Sequence, residues 1–475
     1  MNKKLALLSG PLLALFFYFV NPFGVDKDAA LVLAIGSLMI AWWIFEALPM
    51  PVVALLPLVL FPAFGIGKLK DIASSYADPV IFLFMGGFLI GLAIEKWQLH
   101  RRIALNIIRV TGTSGNRIIL GFILATGFLS MWLSNTATTM MMFPIAMSVI
   151  AVLRDNAQPG ARLDHFALCI MLSIAYASNL GGIATVIGTP PNVAFAAYIR
   201  QRYDMSIEFV DWMLLCAPLA FLLMLLMYWM MAYWLFPNRI KSDENTKRLI
   251  REEIHALGPM SSAEKRVLTV FAVTAALWIT KDLLNKLNLL KLDDTMIAIF
   301  GGVLLFLLPT GKGENRTSLL VWEDTQKMAW GILLLFGGGI ALASELENAE
   351  LMQQMGNWLA GFAGNGGIVL IFMITFLSIF LSEVMSNVAQ VIVFSPVMAG
   401  MADALQMNPL LLGIPMTLAA SAASMLPMGT PPNAIVFASG YIKLPQMIKA
   451  GLIINILAII LITLFSWYLL PLFMN

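Results

Sequence analysis

Two identical pentapeptides, Gly188-Thr189-Pro190-Pro191-Asn192 and Gly429-Thr430-Pro431-Pro432-Asn433, each interrupt an apolar stretch of the 475-residue chain. Consecutive prolines remove backbone donors and break a helix, which leaves carbonyls without partners, and the preceding glycine lets the main chain approach a ligand closely. Two further polar tips recur, Ser130-x-x-x-Ser134-Asn135-Thr136 and Ser382-x-x-x-Ser386-Asn387-Val388. Their spacing of four predicts both serines of a pair on one helical face, aimed at the Ser-Asn tip. Unwound carbonyls beside hydroxyls and side-chain amides make an uncharged, all-oxygen site suited to a monovalent cation such as sodium. Helix N-termini turned toward the same cavity supply partial positive charge for a carboxylate. Each feature also has a plainer use, since prolines kink membrane helices and Ser and Asn glue them together. Repetition of all five pentapeptide residues at matched positions favours the binding reading.

The elements that hold these residues must lie in lipid. The chain is 60% hydrophobic and 12% charged, with mean hydropathy +0.86. A soluble domain carries about 25% charged residues. Apolar runs recur from end to end, among them 5–20, 31–45, 214–236, 267–279 and 452–473, so the sequence predicts one all-α polytopic membrane protein of about 11 spans. The opening Met1-Asn2-Lys3-Lys4 and the apolar stretch after it show no small-residue cleavage site, which predicts a retained first helix. A net charge of +2 without a dense basic patch argues against a nucleic-acid partner. Cys169 and Cys216 sit in apolar surroundings and read as packed small residues rather than a disulfide.

Most of the 29 Lys and Arg residues fall in alternate loops, which predicts a multi-pass inner-membrane protein with its N-terminus cytoplasmic and its C-terminus outside. That count requires segments 118–153 and 368–399 to enter and leave on one side. Each is too short for two crossings and has a polar tip at its middle, and such a tip cannot face lipid, so both read as re-entrant hairpins. The order tip then pentapeptide repeats in the two halves, and the charge count opens one hairpin to each face, which predicts inverted repeats. The stretch 96–117 reads as an interfacial amphipathic helix, and 346–362, with Trp358 as anchor, as its counterpart. The predicted division is 1–117, first spans and interfacial helix; 118–210, first hairpin and broken helix; 211–365, further spans with linker 237–266 and the second interfacial helix; 366–449, second hairpin and broken helix; 450–475, last span.

The Ser-Asn tips, the doubled Thr-Pro-Pro-Asn loops and their order make the chain resemble the divalent anion/sodium symporter family, the INDY-type dicarboxylate carriers, over nearly its whole length. The resemblance implies a homodimer in which a scaffold domain holds the pair and a transport domain moves as an elevator. It implies sodium sites at Ser130, Ser134, Asn135 and Gly188 and at Ser382, Ser386, Asn387 and Gly429. It places Asn135, Thr136, Thr189, Pro190, Asn387, Val388, Thr430 and Pro431 against the substrate carboxylates. Val388 departs from the pattern, because many relatives carry a hydroxyl there; one lost donor is worth about 0.5 to 1.5 kcal/mol. The implied cargo is a small dicarboxylate of the succinate, malate or fumarate type with co-transported Na+, and no organic cofactor. No cationic side chain appears in the four motifs, which predicts that sodium binds first and builds the anion site.

Of the remaining polar residues, Glu383 lies beside the second tip and is a functional candidate, whereas Glu46 and Glu95 at span ends read equally well as structural salt bridges. His100, His165 and His255 read as surface residues, and Met140-Met141-Met142 as packing. The rival readings are a sodium-independent exchanger of the same fold, an intramembrane enzyme and a channel. Ser134 and Ser386 have no His or Lys in their segments to act as base, which argues against the enzyme, and tips entering from both faces argue against the channel.

Overall fold

The computed structural model describes residues 3–155, 162–241, 244–287, 291–311, 317–351 and 367–473. These residues are helical, joined by short turns, and ten of their helices are long and apolar enough to cross a membrane. Two of the ten, Asn135–Arg154 and Asn387–Ala404, are arms of the hairpins that the sequence sets apart from its about 11 spans. Helices Asp294–Leu307 and Leu410–Ser421, and the pair Met50–Val53 and Leu56–Ala63, are apolar but shorter.

Local chemistry sets the helix ends. Asp26 Oδ1 accepts from the Ala29 amide, and Asp78 Oδ1 from the Val80 amide with Pro79 in the first helical position. Ser261 and Glu264 exchange side-chain-to-backbone bonds in a capping box. The predicted interfacial helix is narrower than 96–117 and spans Leu99–Thr111, because Gln98 is left-handed at φ +58° and Gly112, at φ +107°, ends it. It buries Leu99, Ala104, Leu105 and Ile108 and turns Arg101 and Arg102 to Glu253 and Glu264.

His100 corrects the sequence reading, for it is buried at 6% exposure with Nδ1 3.2 Å from the Ile94 carbonyl. Burial lowers its pKa against the effect of that carbonyl. His165 is half-buried, and His255 is exposed as expected. Glu46 is exposed and Glu95 half-buried, and neither forms an ion pair among the described residues, so the salt bridges read from sequence are not made. Cys169 and Cys216 are free and buried. Met142 is fully buried, whereas Met140 is exposed. Residues 346–348 finish helix Trp330–Asn348, and 352–362 of the second interfacial helix expected over 346–362, with its anchor Trp358, lie outside the described residues.

The two hairpins are helix–turn–helix units, Gly115–Ser130 with Asn135–Asp155 and Ile368–Ser382 with Asn387–Ala404. Each packs on a broken helix: Leu163–Gly182 restarting at Pro190–Tyr203, and Leu410–Ser421 restarting at Pro431–Phe437. Small residues allow close approach elsewhere. A β-carbon on Gly86 would stand 2.4 Å from the main-chain carbon of Ala298, and one on Gly338 2.3 Å from the Ala54 carbonyl. Gly86→Val therefore forces helices Pro79–Lys96 and Asp294–Leu307 apart, at a cost of about 1 to 3 kcal/mol. The expected outcome is a lower melting temperature in detergent; an unchanged melting curve contradicts the packing.

Candidate functional site

In the first half, helix Gly115–Ser130 stops at Ser130 and the chain turns through 131–134 before restarting at Asn135. The Ser130 hydroxyl lies 2.8 Å from Asn135 Oδ1 and 2.7 Å from the Ser178 carbonyl. Asn135 Nδ2 donates to Asn179 Oδ1 at 3.5 Å, and Asn179 Nδ2 donates to Thr430 Oγ1 at 3.1 Å. One chain of amides thus joins the first tip to the second pentapeptide. Glycine is required along this path: a β-carbon at Gly182 would stand 2.4 Å from Asn135 Oδ1, and one at Gly188 2.4 Å from the Gly182 carbonyl.

The second half repeats the knot. The Ser382 hydroxyl lies 2.6 Å from Asn387 Oδ1 and also bonds the Ala420 carbonyl. One turn earlier Ser378 Oγ donates to the Met416 carbonyl at 2.6 Å, so the hairpin arm and the broken helix run side by side in parallel. In both halves a hydroxyl at the end of a hairpin helix meets a tip asparagine and a helix-end carbonyl. Hydroxyl, side-chain amide and main-chain carbonyl are the kinds of oxygen a small cation takes, but the two carbonyls, of Ser178 and Ala420, are not those of Gly188 and Gly429 expected from the sequence.

The pentapeptides work differently from simple helix breakers. Thr189 (φ −143°, ψ 140°) and Thr430 (φ −144°, ψ 150°) are extended N-cap residues, and the Pro-Pro pairs occupy the first two helical positions, where their missing donors cost nothing. The asparagines then reach back to the unwound segment: Asn192 Nδ2 donates to the Thr185 carbonyl at 2.9 Å and Asn433 Nδ2 to the Leu426 carbonyl at 3.1 Å. Asn192 Oδ1 and Asn433 Oδ1 are both buried without a partner among the described residues. Each half therefore holds an unused amide oxygen, a group that buried structures normally satisfy with a water or an ion.

A cavity of 100 Å³ touches the first tip through Ser134 and Ala137, and Phe84, Gly87, Gly91 and Lys327 close its other side. Glu95 lines that cavity and a second one, of 390 Å³, between helix Leu99–Thr111 and the returning arm of the first hairpin, where Met141 and Ser148 face it. Lys327 is a cation beside the first tip that the sequence motifs did not contain.

The chain matches the family described as the sodium:sulfate symporter transmembrane region over residues 3–474. It is 38% identical over 476 aligned residues to the sodium-dependent dicarboxylate transporter SdcS of Staphylococcus saprophyticus, covering 99% of this chain and 92% of that one. The SdcS protein of Staphylococcus aureus is 37% identical over the same shares. The chain belongs to the sodium:sulfate symporter family. Two solved structures share the fold at low identity: the YdaH transporter of Alcanivorax borkumensis (TM-score 0.59, 14% identical, 92% of this chain and 98% of that one) and MtrF of Neisseria gonorrhoeae (0.53, 12%, 96% and 97%).

In this symporter-family chain, Ser130, Asn135, Gly188 and the Thr430 side chain come together across the two halves, and Ser382 and Asn387 form the second knot. The one-face reading of the serine pairs does not hold, because each hairpin helix ends at Ser130 or Ser382. Ser134 Oγ instead accepts from the Ala137 amide at 3.3 Å, and Ser386 is the N-cap of the returning helix. Thr136, Ser134, Pro190, Ser386 and Val388 are half-buried, Thr189 is buried and Pro431 is exposed. Sequence reasoning missed Ser178 and Asn179; the signal was a Ser-Asn dipeptide in an otherwise apolar helix. Asn179→Leu removes the amide that joins the halves and strands two polar partners, at about 1 to 3 kcal/mol. The expected outcome is a tenfold or greater loss of ligand affinity, by about 1.4 kcal/mol per decade, read by calorimetric titration; wild-type affinity contradicts the bridge.

Proposed function

We propose that the chain is a secondary transporter that moves a small dicarboxylate of the succinate, malate or fumarate type together with sodium ions across the inner membrane. The observation that carries this reading is the twofold knot of hydroxyl, tip asparagine and helix-end carbonyl, linked across the halves by Asn179. Family membership and the sodium-dependent dicarboxylate relatives support it. One cation would sit among Ser130, Ser134, Asn135 and the Gly188 backbone, the other among Ser382, Ser386, Asn387 and the Gly429 backbone. Neutral oxygens replace the water shell of such an ion without adding a charge that must be buried.

The dianion would lie against Asn135, Thr136, Thr189, Pro190, Asn387, Val388, Thr430 and Pro431. Main-chain amides at the helix starts Asn135 and Asn387 and the two bound cations supply its positive surroundings. Sodium then precedes the anion, because without it the site holds only dipoles. Transport would follow from movement of the hairpins and broken helices, 118–210 and 366–449, as one transport domain against the remaining spans. This is an elevator of inverted repeats within a homodimer, with a cytoplasmic N-terminus. Two sodium ions with a dianion move no net charge, so only a third ion would draw on the membrane potential, at about 2.3 kcal/mol per charge per 100 mV.

Uptake of labelled succinate, malate, fumarate, citrate, tartrate and sulfate into proteoliposomes with and without an inward sodium gradient tests the reading. The expected result is dicarboxylate uptake that collapses without sodium and falls about tenfold or more in Asn135→Ala and Asn387→Ala, each of which loses an amide from its knot. Uptake driven only by internal dicarboxylate, indifferent to sodium, would instead identify an exchanger.

A further inference from the structure

The two knots are equivalent in the residues the motifs repeat, but they are fastened to their unwound segments by different chemistry. In the first half the fastening is neutral: Thr185 Oγ1 donates to the Met131 carbonyl at 2.6 Å, tying the segment before Gly188 to the turn after Ser130. In the second half the residue after Ser382 is Glu383, which is 3% exposed. Its Oε1 accepts from the amides of Ser424 and Met425, both at 2.8 Å, and its Oε2 accepts from the Leu426 amide at 2.9 Å. Three successive main-chain amides converging on one carboxylate form an anion nest. A fourth donor comes from the last long helix, Leu444–Tyr468, where buried Asn455 gives Nδ2 to Glu383 Oε1 at 2.8 Å and accepts from the Ser424 amide through Oδ1 at 3.1 Å. Among the described residues no Lys or Arg pairs with this carboxylate in an ion pair.

Residues 424–426 open the segment that leads to Gly429 and Thr430, and the carboxylate also lies against Gly429. A β-carbon there would stand 2.9 Å from Glu383 Oε2. We propose that Glu383, held by the amides of 424–426 and by Asn455, is the positioning residue of the second cation site. It fixes Gly429 and Thr430 against Ser382 and Asn387 and puts a buried negative charge in that fastening, where the first half has the neutral Thr185–Met131 bond. This inference rests on the sodium-symport reading and deepens it, since the two sites become unequal. A fixed anion beside a low-dielectric oxygen site raises its affinity for a cation, so the second site fills at lower sodium concentration and the first follows.

The test is sodium titration of labelled-succinate binding to the purified full chain, for wild type, Glu383→Gln and Glu383→Asp, with succinate affinity measured separately at saturating sodium. Glu383→Gln is expected to raise half-saturating sodium about tenfold, the ratio one charge-assisted hydrogen bond supports, while succinate affinity at saturating sodium stays within about twofold. Glu383→Asp keeps the charge and is expected to recover most of that loss, which a role in packing alone would not produce. Should Glu383→Gln fail to accumulate, Asn455→Ala is the reporter, and an increase of about threefold in half-saturating sodium is expected from loss of the fourth donor. The inference is overturned by wild-type sodium dependence in Glu383→Gln, by an aspartate no better than the glutamine, or by wild-type dependence in Asn455→Ala where that variant decides. A wild-type protein that binds succinate without sodium would overturn the symport reading and this inference with it, whereas sodium-dependent wild type with an indifferent Glu383→Gln overturns this inference alone.

Discussion

Backbone polar groups inside a membrane must find partners within the protein, and this site is built where that requirement is hardest to meet. Two hairpins turn and two helices break amid apolar helices, so amides and carbonyls there lose their helical partners. Particular side chains meet the main chain there. Ser130 and Ser382 meet the carbonyls of Ser178 and Ala420, Asn192 and Asn433 cover the unwound carbonyls, and Glu383 collects three amides. The oxygens left over, including Asn192 Oδ1 and Asn433 Oδ1, are those a cation or a water would use. The polar network thus stabilises the irregular backbone and gathers oxygens at the same place.

Packing gives this network its precision. The bond between Asn179 and Thr430 exists because helix Leu163–Gly182 lies against the restart at Pro431, deep in a region where nearly every residue of the first broken helix is buried. Glycines at 182 and 188 remove the side chains that would hold the tip away. A low-dielectric surrounding strengthens each of these bonds and makes an unpaired partner expensive, so the network is sensitive to the loss of a single member.

Lys327, Glu95 and Ser134 line one cavity at the edge of the first tip, and Glu95 faces a larger cavity against the interfacial helix as well. Lys327 and Glu95 come from segments outside the four motifs, whereas Glu383 lies within the second tip, between Ser382 and Ser386. The repeated motif residues are neutral, while charge enters from Lys327 in the cavity at the first tip and from Glu383 in the second tip.

The sequence alone determined the membrane setting, from its hydropathy, and the pairing of two similar polar clusters, from the repeated pentapeptides and tips, because composition and repetition are local properties. It also located the hairpins, since a polar tip flanked by short apolar arms has few other places to go in lipid. What it misjudged depended on neighbours distant in the chain. His100 looked like a surface residue until helix Leu99–Thr111 packed it inward, and the serine pairs looked like one helical face until the helices ended at Ser130 and Ser382. Only tertiary structure decided that Asn179 bridges the halves and that Asn455 braces Glu383. Those contacts join residues 251 and 72 positions apart, a separation over which no periodicity or spacing carries a signal.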